Sequence, residues 1–130
     1  MKEDFYGFKA QVAKYFDQFC IPYSLVRTEH DLREALPQNG IVLIHAAWSG
    51  YSIGNMFRIL KAIQERGSPF PELVLADIDG LPPETMIRLL GRPAQGYAEG
   101  VVLLDGAVVA VHSRSAELEP FLAAISRFRH

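Results

Sequence analysis

The sequence predicts a single α/β domain in which strands and helices alternate along the chain. Two stretches carry this prediction. Ile41–Leu60 begins with an aliphatic run, turns at a short polar segment and continues with apolar residues at helical spacing. Near the carboxyl end, Asp105-Gly106 separates two apolar runs, which is a strong signal for a β-hairpin. A length of 130 residues fits one domain, and a hydrophobic content of 49% is enough for a core.

Residues 3–19 predict an amphipathic helix with its large apolar side chains on one stripe. These side chains are Phe5, Phe8, Val12, Phe16 and Phe19. We expect the stripe to pack on the domain's own sheet, and a partner-binding helix is the alternative. Cys20, the only cysteine, follows this helix and is expected to be a small buried hydrophobe rather than a nucleophile.

A short strand and a short helix are predicted between Pro22, which ends the first helix, and the central stretch. Tyr23–Val26 is the strand candidate. The sequence Thr-Glu-His-Asp at 28–31 is typical of a capping box and opens a helix that runs to Leu36. Residues 37–40, Pro-Gln-Asn-Gly, then form a turn before the central strand.

The second half of the chain continues the alternation. The central helix is expected to end near Arg66, with Gly67 in the left-handed position that follows a helix. Ser115 is expected to cap a last helix. The elements between them are a strand, a helix and the two hairpin strands: Leu73–Ile78, Leu81–Leu90, Val101–Leu104 and Ala107–His112.

The order of elements from Tyr23 to Phe128 resembles that of thioredoxin, over about 105 of the 130 residues. The segment Trp-Ser-Gly-Tyr-Ser at 48–52 resembles the Trp-Cys-Gly-Pro-Cys turn of that family, and an Asp-rich strand end at Asp77 and Asp79 also fits. The resemblance implies a thioredoxin-like three-layer α/β/α fold with a mixed central sheet. Residues 1–21 would form an extra N-terminal helical extension, and residues 22–130 the thioredoxin-like core.

The chemistry of that family is not matched. Ser49 stands where thioredoxins have their nucleophilic cysteine, which needs a thiolate, and Ser52 stands where they have the resolving cysteine. Leu43 corresponds to their buried aspartate, and the family's cis-proline falls near Ala98. The resemblance therefore implies a redox-inactive member with no catalytic residues, no cofactor and no enzyme activity.

A second pattern overlaps the same turn. Residues 50–54, Gly-Tyr-Ser-Ile-Gly, match the nucleophile elbow of α/β-hydrolases. Ser52, Asp79 and His112 follow one another in the required order, and His45 is a second candidate base. The chain is short for that fold, and the motif has many chance matches. A small serine hydrolase is therefore the alternative interpretation.

The leading interpretation is a protein-binding module, such as an assembly chaperone or an immunity-type inhibitor. The resemblance implies that an extended peptide of another protein would bind beside the Trp turn, by strand addition and a shallow apolar groove. Large aromatic side chains at such an edge are typical of recognition sites. The expected binding residues are Trp48, Ser49, Gly50, Tyr51, Ser52, Gly96, Tyr97, Ala98 and Glu99.

Composition argues against several other classes. A net charge of −2 without a basic run does not fit a nucleic-acid binder, and the scattered histidines predict no metal site. No apolar run is long enough for a bilayer and no leader opens the chain, so we expect a cytoplasmic protein without a membrane partner. A homodimer is left open. His45 is expected to be partly buried with one hydrogen bond, and the basic tail 127–130 to be solvated.

Overall fold

In the computed structural model, which describes residues 7–126, five strands form one mixed sheet. Their order across the sheet is β1-β3-β2-β4-β5. Strands β1, β3 and β2 run parallel, whereas β4 is antiparallel to both β2 and β5. The strands are β1 Ser24–Val26, β2 Gly40–His45, β3 Glu72–Asp77, β4 Gly100–Leu104 and β5 Ala107–His112.

Five helical segments cover the two faces of this sheet. The first, α1, is built from an α-helical turn, a π-helical stretch and a 3-10 turn: Phe8–Gln11, Val12–Phe16 and Asp17–Phe19. The others are α2 Glu29–Ala35, α3 Gly50–Arg66, α4 Pro83–Leu90 and α5 Leu118–Ser126. Short 3-10 turns precede α4 at Ile78–Gly80 and α5 at Ser115–Glu117.

Alternate residues of the central strands point into two separate cores, as the pleat of a strand requires. Ile41 and Leu43 lie in one core with side chains of α1, α3 and α5. Val42 and Ile44 lie in the other with side chains of α2 and α4. The three-layer α/β/α fold with a mixed sheet and an N-terminal helix is therefore confirmed.

The apolar stripe of the first helix packs inward. Its described members, Phe8, Val12, Phe16 and Phe19, are all buried in the core that contains α3 and α5. Gln64 of α3 also donates a hydrogen bond to the Phe19 carbonyl at 3.1 Å. The prediction of internal packing is confirmed for these four residues, and Phe5 lies outside the described part of the chain, as do the tail residues 127–130.

The prediction for Cys20 is wrong. Its side chain is exposed, and its backbone has φ 57°, in the left-handed region, because α1 ends there. A residue with a left-handed backbone no longer follows the helical spacing, so its side chain leaves the apolar stripe. The spacing of that stripe could not indicate this left-handed backbone.

Two local signals are confirmed in detail. Thr28 caps α2, since its Oγ1 accepts a hydrogen bond from the Asp31 backbone N–H at 3.1 Å. Asp105 and Gly106 form the hairpin turn with φ values of 51° and 81°, the pair of positive values typical of this turn type.

Several element ends differ from the predictions. The strand β2 ends at His45, three residues before Trp48, and Ile78 belongs to a 3-10 turn rather than to β3. Ser115 begins a 3-10 turn instead of capping α5. The helix α3 ends at Arg66, as predicted. Gly67 has a positive φ of 87°, but its ψ of 175° lies outside the left-handed helical region that was expected there.

Candidate binding site

The turn after β2 and the loop before β4 meet at the carboxyl edge of the parallel strands. Ser49 joins them, because its hydroxyl donates a hydrogen bond to the Gly96 carbonyl at 2.6 Å. The same oxygen accepts from the Ser52 backbone N–H at 3.3 Å, which caps α3. Asn55, one turn further along α3, donates to the Tyr97 carbonyl at 3.0 Å. The helix N-terminus and the loop therefore form one connected unit.

Three aromatic side chains lie on the outside of this unit, and we call them the aromatic face: Trp48, Tyr51 and Tyr97. Tyr51 is 74% exposed and Trp48 is 46% exposed, while Tyr97 is half-buried. The rings of Tyr51 and Tyr97 meet edge to face, with centroids 5.7 Å apart. Trp48 donates from Nε1 to Asp79 Oδ1 at 3.2 Å, which fixes the orientation of its indole.

The buried carboxylate of Glu99 holds the loop before β4 through hydrogen bonds to its backbone. Glu99 accepts hydrogen bonds from the backbone N–H groups of Gln95 and Tyr97, the latter at 3.1 Å. The Ala98 carbonyl accepts from His112 Nδ1 at 3.0 Å, and Ala98 has a positive φ of 59°. Much of the backbone of residues 95–98 is therefore already hydrogen-bonded within the protein.

The predicted binding residues fall into two layers. Trp48, Gly50 and Tyr51 are exposed and Tyr97 is partly so. The remaining five are buried and lie beneath the surface, where they hold its shape: Ser49, Ser52, Gly96, Ala98 and Glu99. Gly96 has a specific reason to lack a side chain, since a Cβ there would lie 2.9 Å from the Trp48 ring.

His45 and Ser52 form a buried pair under the turn. His45 Nδ1 lies 2.8 Å from Ser52 Oγ, and the same oxygen accepts from the Ala46 backbone N–H at 3.0 Å. On its other side, His45 Nε2 lies 2.5 Å from Gln11 Oε1. Gln11 in turn donates from Nε2 to the Ala47 carbonyl at 3.1 Å. His45 is thus fully buried with two hydrogen bonds, not partly buried with one as predicted.

The hydrogen bonds of Gln11 determine which nitrogen of His45 carries the proton. Gln11 uses its nitrogen for Ala47, so its oxygen must accept from His45 Nε2–H. Nδ1 is then unprotonated and accepts the Ser52 hydroxyl proton. Burial lowers the pKa of His45 to about 4, so its imidazole is neutral at physiological pH.

The predicted hydrolase triad is not assembled. His112 is fully buried and binds the Ala98 carbonyl, and Asp79 accepts from Trp48. The serine that does contact a histidine, Ser52, has no exposed surface that a substrate could reach. The second partner of His45 is the amide of Gln11 rather than a carboxylate. Nothing in this arrangement supports the hydrolase interpretation.

Beside the aromatic face lies a polar cleft of about 570 Å³, which we call the arginine cleft. Its lining includes both tyrosines of the face, two arginines and two serines: Tyr51, Arg92, Pro93, Gln95, Tyr97, Ser113, Arg114 and Ser115. The sequence interpretation missed Arg92 and Arg114. They come from two different loops, and no spacing in the sequence indicates that these loops meet.

Neither a metal site nor a membrane span is found in the described part of the chain. No three His, Cys, Asp or Glu side chains among residues 7–126 are grouped so that they could hold a metal ion. Within the same residues, no helix combines the length and the apolar character that crossing a bilayer requires.

Comparison with known proteins identifies the fold. No protein-family model and no curated protein matches the chain. Among solved structures, the thioredoxin of Malassezia sympodialis is similar with a TM-score of 0.54 at 14% identity, covering 82% of this chain and 95% of that chain. The thioredoxin of Fasciola hepatica has a TM-score of 0.54 at 18% sequence identity, and the match covers 78% of this chain and 98% of that chain. The reduced thioredoxin pre-protein of Schistosoma mansoni has a TM-score of 0.50 at 20% sequence identity, and the match covers 78% of this chain and 98% of that chain. The structural similarity establishes a thioredoxin-like fold, and identities this low show the fold alone.

Proposed function

We propose that this thioredoxin-like domain is a redox-inactive module that binds another protein through its aromatic face, as an assembly chaperone or an immunity-type inhibitor does. The observation that carries the proposal is the exposure of Tyr51, 74%, on a turn fixed by hydrogen bonds. An exposed tyrosine beside an exposed tryptophan is typical of interface hot spots.

The proposed absence of redox chemistry rests on the side chains of the turn. Ser49 and Ser52 both carry hydroxyls, which do not cycle between a dithiol and a disulfide. The single cysteine, Cys20, follows α1 and is not part of the turn. Leu43 is fully buried among apolar side chains at the position of the family's aspartate, so the strand offers no proton acceptor there.

The turn is also well suited to binding because it is ordered before any partner arrives. Ser49, Asn55 and Glu99 hold the turn and the loop together through hydrogen bonds to backbone groups. A surface that is already in its bound shape loses less conformational entropy on association. The edge-to-face contact between Tyr51 and Tyr97 also orients the two rings relative to each other.

Recognition by side chains fits the site better than strand addition to the loop. A peptide strand pairing with residues 95–98 would compete with the hydrogen bonds that Glu99, Ser49, Asn55 and His112 already make to that backbone. The hydrogen bonds to a peptide strand would at most replace the buried hydrogen bonds that are broken, so strand addition would gain little free energy. We therefore assign recognition to Trp48, Tyr51 and Tyr97.

A random-peptide phage library tests this function. Selection on the wild-type protein should yield peptides that bind at least tenfold more weakly to Tyr51→Ala, the loss typical of an interface anchor. Ile87→Ala is the matched control, because Ile87 is also an exposed apolar side chain but lies on α4. It should bind the selected peptides as the wild type does.

Thermal unfolding accompanies the binding measurements. Tyr51 is mostly solvent-exposed, so its truncation should leave the melting temperature nearly unchanged. Selected peptides that bind wild type and Tyr51→Ala equally would overturn the proposed surface. The proposal would also fail if the selection enriched no peptide that binds the folded protein.

A further inference from the structure

We propose that the arginine cleft binds a carboxylate from an acidic, extended segment of the partner, while a neighbouring apolar side chain of that segment packs on Tyr51. This inference rests on the proposed function, since it names the chemistry of the partner at the same surface. The occupant is an Asp or Glu side chain of a peptide segment.

The lining of the cleft is cationic. Arg92 and Arg114 both line it, and none of its lining residues is acidic. A guanidinium presents a planar fork of N–H donors that matches the two oxygens of a carboxylate. Ser113 and Ser115 also line the cleft, although the Ser113 hydroxyl already donates a hydrogen bond to Glu117 Oε1 at 3.0 Å.

The hydrogen-bonding capacity of Arg92 is largely unused within the described residues. Its side chain is 35% exposed, and its Nη1 is buried without a hydrogen-bond partner. Its Nη2 lies 3.7 Å from Glu117 Oε2, which is an ion pair but too long for a hydrogen bond. Buried polar nitrogens normally have an acceptor, so a modest shift of this guanidinium toward a ligand oxygen would improve its bonding.

The positive charge at the cleft surface comes from its two arginines. Two carboxylates lie just behind the lining: Glu117 is 3.7 Å from Arg92, and Glu99 accepts hydrogen bonds from the Gln95 and Tyr97 backbone. Burial by itself would raise the pKa of Glu117, but hydrogen bonds from Ser113 and the charges of Arg92 and Arg114 lower it below its ordinary value. Glu117 therefore stays ionised. With two carboxylates close behind the two arginines, a singly charged carboxylate fits the cleft better than a phosphoryl group, whose charge at pH 7 is about −1.5 to −2.

The aromatic face continues directly into the cleft. Tyr51 and Tyr97 belong to both, with their rings edge to face. A segment with an acidic residue beside an apolar one can therefore place the carboxylate between the arginines and the apolar group on Tyr51. The volume of about 570 Å³ is within the range of pockets that hold small ligands, and one or two side chains fit it.

Three short synthetic peptides provide the first test. The first is acetyl-Gly-Phe-Glu-Gly-amide, and the other two carry Gln or phosphoserine in place of the Glu. Each peptide is titrated into 15N-labelled protein, and binding is followed by NMR. We expect the Glu peptide to shift the amides of Tyr97 and Arg114 and to bind about fivefold or more tightly than the Gln peptide. Added salt should weaken this preference, because one charge pair carries it.

Two variants and one control provide the second test. Arg114→Gln removes an exposed cleft arginine without disturbing packing, and Arg92→Gln removes the half-buried one. Each should abolish the preference for Glu over Gln. Arg33→Gln changes charge by the same amount on α2, where the side chain is 73% exposed, and should leave the preference unchanged.

The outcomes separate this inference from the proposed function. Equal binding of the Glu and Gln peptides, or a preference that survives Arg114→Gln, overturns the carboxylate site. Much tighter binding of the phosphoserine peptide overturns the choice of a carboxylate. Library peptides that depend on Tyr51 but show no acidic enrichment overturn this inference alone, whereas the absence of Tyr51-dependent peptides overturns both.

Discussion

His45 and Ser52 form a hydrogen bond of 2.8 Å in which neither side chain has any exposed surface. Through Gln11, this bond connects the N-terminal segment α1 to the turn that opens α3. The Ser52 hydroxyl is therefore used inside the protein, where it stabilises the turn.

The first prediction concerns the stability of this buried pair. Ser52→Ala should lower the free energy of unfolding by about 1–3 kcal/mol, because it leaves His45 Nδ1 and the Ala46 N–H buried without a partner. Urea-induced unfolding measures the change. Ser126→Ala is the matched control, since Ser126 is exposed and, within the described residues, its hydroxyl donates to a carbonyl of its own helix. If both substitutions had the same small effect, the buried pair would not contribute to stability.

The second prediction concerns the dependence of stability on pH. The folded pKa of His45 is about 4, below its ordinary value of 6.5, so the unfolded chain binds a proton more readily between these values. The folded state is therefore fully stable with respect to His45 above pH 6.5, and this contribution to the free energy of unfolding is lost as the pH falls toward 4. Over that range the loss from His45 is about 3 kcal/mol. Burial lowers the pKa of His112 as well, which adds to the loss in the same direction.

Urea unfolding at several pH values and NMR titration of the histidines measure these effects. The ring of His45 should remain neutral until the pH approaches 4. His30→Gln is the control, because His30 is 77% exposed and its removal should not change the slope. Protonation of His45 near pH 6.5 in the folded protein would contradict the prediction.

The third prediction concerns redox activity. The protein should not reduce insulin disulfides, because its one thiol, Cys20, has no second cysteine with which to form an internal disulfide. Cys20 should react with a thiol reagent in the native state, since it is exposed. Cys20→Ser should behave like the wild type in the insulin assay. Thiol-dependent turnover by the wild type would contradict the proposed inactivity.

The fourth prediction concerns the geometry of the turn. In a Cys20→Ser background, the double substitution Ser49→Cys and Ser52→Cys should form a disulfide, because the two positions lie side by side at the start of α3. It should still reduce insulin poorly, since Leu43 offers no acid. Free-thiol titration before and after oxidation measures the disulfide, with Ser49→Cys alone as the control. Two thiols that remain free would contradict a thioredoxin-like turn.

Much of the fold could be predicted from short-range patterns. The Asp105-Gly106 turn, the Thr28 cap and the apolar stripe of α1 all follow from residues within one or two turns of each other, where local geometry decides the outcome. The alternation of Ile41, Val42, Leu43 and Ile44 between two cores follows from the pleat of a strand buried on both faces. The predicted ends of strands and helices were less accurate, because tertiary contacts decide where a strand or a helix stops.

The composition of the site was only partly accessible from the sequence. The turn at Trp48 and Tyr51 could be placed because a strand, a glycine and a helix follow one another there. The burial of Ser52, Ala98 and Glu99 could not, since it depends on a loop that packs against the turn from far along the chain. The exposure of Cys20 likewise depends on how α1 ends against the core.

The amino-acid sequence alone determined the order of elements, the two apolar faces of the sheet and the absence of a cysteine pair at the turn, because periodicity and residue identity are local properties. Tertiary structure alone decided which distant residues meet. Gln11 reaches His45 across 34 positions and Ser49 reaches Gly96 across 47, and Arg92 and Arg114 share one cleft. Such contacts depend on how helices and loops pack on the sheet, and no spacing along the chain encodes that packing directly.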